Sequence, residues 1–346
     1  MKKDKLNYAR AGVDIAAGDQ AVEKIKSLAQ ATFNESVLSE IGSFGGFFKP
    51  DLKAFENPVF ISSADGVGSK LKLAFMSNRH DTVGEDLVNH CVNDILVHGA
   101  TPLFFLDYIG IGKLKPEIVA EIIEGFARGC KNARMALLGG ETAEMNDFYQ
   151  PGEYDLAGFI LGLVDQDNVI NGKNIRPGDV IVGLASNGPH TNGYTLARKI
   201  AFEIAGFQFE TPVDELGMPV GEALLMTHKS YLWPIKTLLR DIPVRGMAHI
   251  TGGGIAGNLV RILPDNTRAV IHKGNLPVLP IFQWLKKHGD IDDDDMFEAF
   301  NMGIGYVVVL PEGDAERALK CLRREGEQPY IIGEIESGSK KVIFKS

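Results

Sequence analysis

The sequence predicts an α/β protein of two domains, and three observations carry that prediction. Its 346 residues, 45% of them hydrophobic, exceed the usual span of a single core. Strand-like and helix-like runs alternate along the chain. A polar segment bearing glycine and proline, NVINGKNIRPGDV, interrupts them midway and places the boundary near Asp167, so that residues 1–167 form one domain and 168–346 the other.

In chain order, Asp19 caps the helical run QAVEKIKSLAQAT, which the glycine-rich IGSFGGFF breaks. PVFISSAD reads as a strand. GEDLVNHCVNDILVHGA places Leu87, Val88, Cys91, Val92, Ile95 and Leu96 at helical spacing and leaves Asp86, Asn89, His90, Asn93 and Asp94 around the other faces. TPLFFLDYIG is a strand, KPEIVAEIIEGFARGCKNA a helix, and MALLGGET and YDLAGFILGLVD are strands. Beyond the boundary, the strand VIVGLAS enters the loop SNGPHTNG and then a helix. RGMAHITGGG is a strand entering a loop, IAGNLVRIL a helix, TRAVIH a strand, VLPIFQWLKKHG a helix, GIGYVVVL a strand and AERALKCLRREG a helix, before the closing strands PYIIGEI and KVIFK. The absence of short repeats and low-complexity tracts sets solenoids and disorder aside.

Composition excludes several functions. There are 36 Lys and Arg against 45 Asp and Glu, a net charge of −9, and only DDDD at Asp292–Asp295 concentrates one sign. That balance excludes a general nucleic-acid or anionic-membrane binder and leaves room for a local basic pocket. The charged start MKKDKLNYAR is unlike a signal peptide, and no run approaches the roughly 18 apolar residues of a membrane span. Cys91, Cys130 and Cys321 lie far apart without CxxC spacing, the pattern of reduced, packed thiols in a cytoplasmic protein.

Three constellations could carry chemistry. In SSADGVGSKLK, Ser69 separates Gly68 from Lys70, so the loop is not a Walker A motif, and Asp65 sits where a bare phosphate would be repelled. Asp65, Asp94 in VNDILVHGA and Glu141 in GGETAEM each stand near glycine. Scattered single carboxylates beside glycine-rich backbone suit magnesium shared with phosphate oxygens, although each also reads as a cap or a solvated position. GGGIAG at Gly252–Gly257 fits GxGxxG, but His272 and Lys273 stand where the dinucleotide fold needs an acid. What survives there is a helix N-terminus at Gly252, Gly253 and Gly254 that could hold a phosphate, or a turn that tightens a strand-helix junction. SNGPHTNG offers Ser186, Asn187, His190, Thr191 and Asn192 in a loop, where a lone histidine is more often structural than catalytic.

The runs AGVDIAAG, ADGVGSK, GEDLVNHCVND, HGATPLFFLDY, LLGGETAEM, YDLAGF, SNGPHTNGY, AHITGGG and FNMGIG follow one another over nearly the whole chain. In that order they resemble the phosphoribosylformylglycinamidine cyclo-ligase family, the aminoimidazole ribonucleotide synthetases. Ala64 and Ser69 stand where the family usually has threonine, and Ser43 where it has glycine, which leaves the path of that loop open.

The resemblance implies an ATP-dependent ligase of purine biosynthesis that cyclises formylglycinamidine ribonucleotide. It implies a homodimer in which N-terminal strands of two chains form one barrel, with a C-terminal sheet covered by helices. A lone N-terminal half would leave LFFLDYI and LAGFILGLV at an open edge. By the same resemblance, Asp65, Asp94 and Glu141 hold magnesium, and Gly45, Gly46, Gly66, Gly68, Ser69 and Lys70 meet the ATP phosphates. His190, with Thr191, Asn192 and Gly252–Gly254, is expected at the substrate, His190 as the group that positions it or moves its proton. Lys70 and Asp94 share the catalytic work with His190 on this reading, and a potassium requirement stays open.

Overall fold

The computed structural model describes residues 25–346, of which 25–30 are helical; the Asp19 cap and the first five residues of the run QAVEKIKSLAQAT, with the AGVDIAAG run, lie outside them. In the first domain, β1 is Pro58–Gly66, α1 Leu71–Ser77, α2 Asp81–Leu96, β2 Thr101–Ile111, α3 Pro116–Ala133, β3 Ala136–Glu144 and β4 Tyr154–Asp165. The strands form one sheet in the order β1-β4-β2-β3. β4 pairs antiparallel with β1 and β2, whereas β2 pairs parallel with β3, so α3 serves as the crossover that a parallel pair requires.

Helices α2 and α3 cover one face of this sheet because their apolar positions recur at helical spacing: Val88, Cys91 and Val92 on α2, Ile122, Phe126 and Cys130 on α3. Glycines let the two backbones touch. A Cβ on Gly84 would lie 2.2 Å from the Ile122 carbonyl oxygen, and one on Gly125 2.2 Å from that of Asp81. The other sheet face is open, with Phe60 and Phe159 52% and 47% exposed. LFFLDYI and LAGFILGLV, expected at an edge, lie in the interior strands β2 and β4, and the edges are β1 and β3; among the described residues of this sheet, exposed Phe60 and Phe159 lie on a face.

In the second domain, β5 is Asp179–Ala185, α4 Tyr194–Arg198, β6 Pro212–Val213, β7 Met218–Pro219, α5 Val220–Leu225, α6 Leu232–Asp241, β8 Gly246–His249 and α7 Gly254–Leu259. The chain continues through β9 Thr267–His272, α8 Pro280–Gly289, α9 Asp293–Ala299, β10 Ile304–Pro311, α10 Ala315–Arg324, β11 Pro329–Ser337 and β12 Lys341–Lys345. Its main sheet runs β12-β9-β11-β5-β10-β8, antiparallel except for β12 with β9, while β6 and β7 pair apart from it. Three strands separate β8 from β9, so GGGIAG does not open the adjacent parallel unit of a dinucleotide fold.

Strands β5 and β10 are buried on both faces, and the two faces join different cores. Val182, Leu184, Tyr306 and Val308 face α6, α10 and, through them, the helices of the first domain. Ile181, Val307 and Val309 face α7 and α8. The acid block is a helix start: Asp293, Asp294 and Asp295 fill the first turn of α9, where the partial positive charge of the helix favours them. Among the described residues no helix is long and apolar enough to cross a membrane.

Candidate active site

The domains meet along a cleft of about 560 Å³ whose walls include Asp65, His90 and Asp94 from the first domain and His249, Asn258 and Arg261 from the second. Asp65 lies at the end of β1. His90 and Asp94 are four residues apart on α2 and so share a face. His249 ends β8. His90 Nε2 is 2.8 Å from Asp65 Oδ2 and 3.8 Å from Asp94 Oδ2. His249 Nδ1 is 2.9 Å from Asp94 Oδ1, and the Ser63 hydroxyl donates to Asp94 Oδ2 at 3.0 Å.

A second rank of side chains ties the cluster to the domain interface. Thr191 Oγ1 lies 2.8 Å from His90 Nδ1 and 3.3 Å from His228 Nδ1, and His228 Nε2 lies 3.0 Å from His249 Nε2. His190 stacks on His228 with ring centroids 4.1 Å apart. Its backbone has φ +63°, the left-handed region that non-glycine residues avoid, and Gly305 makes room for its ring: a Cβ there would lie 2.4 Å from His190 Cε1. Neither ring nitrogen of buried His190 has a hydrogen-bond partner.

Burial and pairing set the charges. Burial would raise the Asp65 pKa, but the hydrogen bond and charge of His90 outweigh it and hold the carboxyl below its ordinary range. Asp94 is likewise lowered, with burial overcome by His249. Burial would lower His90, yet Asp65 and Asp94 lift it above its ordinary value. In His249 burial prevails over Asp94, and burial drives His190 and His228 well down, so these two rings are neutral.

The residues expected at the site divide into three groups. Asp65, Asp94 and Thr191 come together as described. Gly66 lends its amide to Asp65 Oδ1 at 2.7 Å, Gly68 takes a positive φ of 67°, and the Ser69 hydroxyl meets that of Thr195 at 3.0 Å across the domain boundary. Asn192 reaches Thr191, with Nδ2 3.5 Å from its Oγ1, and a Cβ on Gly252 would sit 3.3 Å from Asn192 Oδ1, so these loops are neighbours. In the TGGG loop, Gly253 and Gly254 have φ of 88° and 61°, and the Gly254 amide already donates to the Thr251 carbonyl.

Three of the expected residues lie away from this cleft. Lys70 does not face the cleft: it is 0% exposed, its ammonium 2.8 Å from Asp86 Oδ1 and 2.7 Å from the Met226 carbonyl. Asp86, off the apolar stripe of α2, is itself fully buried and supplies the partner that draws Lys70 in. Glu141 stands apart from Asp65. The register runs Asp65, Gly158, Asp107, Gly140 across the sheet, three strand spacings or about 14 Å. Glu141 instead lines a separate cleft of about 620 Å³ with Gly45, Gly46 and Asp107. Finally, His190 is 1% exposed and lies behind His228, so direct contact with a substrate in the cleft does not follow from its position.

Sequence reasoning did not single out His90, His228, His249 or Arg261 as site residues. His90 and Asp94 at i and i+4 were a legible pair, and a histidine closing the strand before TGGG was a second signal. Nothing local marks His228, which reaches the cluster only through the fold.

Residues 53–164 match the family described as AIR synthase related protein, N-terminal domain, and residues 176–345 its C-terminal domain. Among solved structures, thiamine-monophosphate kinase from Stenotrophomonas maltophilia K279a superposes with a TM-score of 0.71 at 15% identity over 94% of this chain and 96% of that one. The hydrogenase maturation protein HypE in complex with ATP gives 0.67 at 17% identity over 92% and 88%. Both share the fold. The phosphoribosylformylglycinamidine cyclo-ligase of Alkaliphilus metalliredigens (strain QYMF) is 50% identical over 344 residues, 99% of each chain. That of Geobacter sulfurreducens (strain ATCC 51573 / DSM 12127 / PCA) is 50% identical over 335 residues, 97% of this chain and 96% of its own. With both domains matched and half of all residues identical from end to end, the chain belongs to the phosphoribosylformylglycinamidine cyclo-ligase family.

Proposed function

We propose that the interdomain cleft is where this ATP-dependent ligase of purine biosynthesis closes the imidazole ring of aminoimidazole ribonucleotide. The observation that carries the reading is the meeting of acidic Asp65 and Asp94 from one domain with Arg261 and Asn258 from the other along a single cleft. A cation-bound polyphosphate and a phosphorylated ribose carry like charge and need separate partners. Acidic residues serve the first through a cation, and Arg261 the second.

In the proposed sequence, the formyl oxygen of formylglycinamidine ribonucleotide attacks the γ-phosphorus of ATP, ADP departs, and the formamide nitrogen gives up its proton. The resulting iminophosphate is attacked at carbon by the substrate's own amidine nitrogen. The carbon-oxygen bond breaks, phosphate leaves with that oxygen, and the nitrogen loses a proton. Such steps ask the protein chiefly for alignment and charge neutralisation.

The carboxylates of Asp65 and Asp94 present oxygens to the cleft and fit a hard divalent cation such as magnesium, which when bound would neutralise phosphate charge. Asp65 and Asp94 would hold it, His90 and His249 fix their carboxylates, and Asn192 with the Gly252–Gly253 turn shapes the substrate end. His190 acts as a positioning residue that backs His228. Lys70 holds the first domain's loop to α2 and to the chain before α6. Glu141, Gly45 and Gly46 lie across the first sheet, so their place at the nucleotide depends on a second copy of the chain. A homodimer packed through the open sheet face would bring such a copy to Phe60 and Phe159. Buried, unpaired Cys91 and Cys130 suit a reducing cytosol.

The test is ADP release measured with and without the amidine substrate, in the parent and in Asp94→Asn. The reading expects release only with substrate, and loss of turnover in a variant that melts like the parent. Substrate-independent ATP hydrolysis would favour another reaction of the fold, and unimpaired turnover in Asp94→Asn would remove Asp94 from the site.

A further inference from the structure

We propose that His90 and His249 join Asp94 to form a binding site for a divalent transition metal of the zinc or cobalt class, with Asp65 at its mouth. The proposal rests on the reading of Asp94 as a cation ligand and adds two imidazoles to it. Ligand atoms of His90, Asp94 and His249 all lie within 4.8 Å of one another. Bonds of 2.0–2.1 Å at a tetrahedral angle put neighbouring ligand atoms about 3.3 Å apart. The contacts His90–Asp94 and His249–Asp94, at 3.8 and 2.9 Å, straddle that spacing. Small side-chain shifts therefore suffice to admit an ion.

The groups behind the cluster point the same way. A metal-bound histidine holds its other ring nitrogen in a hydrogen bond, which fixes tautomer and orientation. Here Nδ1 of His90 is held by Thr191, and Nε2 of His249 by His228, so the nitrogens that remain are the two that face carboxylates. Ser63 holds Asp94 from the sheet. His90 and His249 are buried to within 3% and 5% of full exclusion, whereas Asp65 and Asp94 border the cleft, which gives an ion a way in. Two imidazole nitrogens with the Asp94 carboxylate suit a borderline metal, while magnesium asks only for oxygen. Selectivity for a transition metal in the absence of nucleotide is thus the property that the two histidines add.

The test uses the full chain, untagged, stripped with a chelator and titrated with Co²⁺ without nucleotide. One equivalent per chain should bind, with the visible absorption of nitrogen-ligated cobalt, and Zn²⁺ should displace it while Mg²⁺ in about 100-fold excess should not. His90→Asn and His249→Gln keep a polar group for Thr191 and His228 but lose the ligand atom, and each should weaken Co²⁺ binding about 100-fold or more. If a variant fails to fold, the Mg²⁺ competition on the parent decides by itself. Displacement of Co²⁺ by an equal concentration of Mg²⁺, binding of Co²⁺ only when ATP is present, or parental affinity in both folded variants would overturn the proposal. Amidine-dependent ADP release in that same parent preparation judges the cyclo-ligase reading separately.

Discussion

At the scale of single residues, buried charge separates structural groups from functional ones. Lys70 and Asp86, both fully buried, form an ion pair whose value lies in not being broken. Lys70→Met should cost about 3–5 kcal/mol by stranding the Asp86 carboxylate, and adding Asp86→Leu should restore much of it. Chemical denaturation checks this, and a single variant of parental stability with lost ATP binding would return Lys70 to the phosphates. Asp107 is the opposite case, an acid without a partner charge. Burial lifts its pKa to about 7, helped by the charge of Glu141. Between about pH 4 and 7 the folded state keeps a proton that the unfolded state has lost, so stability falls as pH rises, by up to about 1.4 kcal/mol per unit for this group. Above pH 7 the full penalty is in place. Asp107→Asn should flatten that slope and gain a few kcal/mol at pH 8, read from denaturation midpoints across the pH range. Motif spacing made Asp65 and Asp94 legible as candidates. It could not reveal that Asp86 would bury Lys70, because that pairing joins an α2 face to a loop beside β1.

Among the elements, α2 is the one that carries the site, since His90, Asp94, Asp86 and Asn89 all project from it toward the second domain or the cleft. Asn89 and Asn93 donate to the carbonyls of His228 and Lys229 at 2.7 and 2.8 Å, fixing the helix to the chain before α6. Its position depends on the glycine contact with α3. Gly125→Ala would drive a methyl into the Asp81 carbonyl, prise the helices apart and destabilise by about 1–3 kcal/mol or more. Because the axis that moves holds His90 and Asp94, turnover should fall by more than the folded fraction does. Thermal melts beside steady-state rates check it, and a stable variant of parental rate would show that α2 tolerates displacement. The strands and the long helices were readable from periodicity, as VIVGLAS and KPEIVAEIIEGFARGCKNA illustrate. α5 and α6 were not, because VGEALL is too short for a period and Pro234 interrupts the apolar pattern of LWPIKTLLRD. Sheet order was also hidden, since three strands from distant parts of the chain come between β8 and β9.

For the whole molecule, two apolar strands expected at an edge prove to be interior, and among the described residues a face of their sheet leaves Phe60 and Phe159 exposed. A second copy covering that face would bury these rings, and light scattering should give twice the chain mass; Phe159→Lys should shift the protein toward the monomer and expose its incomplete nucleotide site as lost activity. An active monomer at low concentration would instead confine the whole site to one chain. The central claim is that ring closure in the interdomain cleft proceeds by phosphorylating the substrate's formyl oxygen. The most direct measurement follows that oxygen: formylglycinamidine ribonucleotide labelled with ¹⁸O in the formyl group is turned over with ATP, and the phosphate is weighed by mass spectrometry. The account predicts one labelled oxygen in each phosphate released, and unlabelled phosphate formed alongside the cyclised product would contradict it.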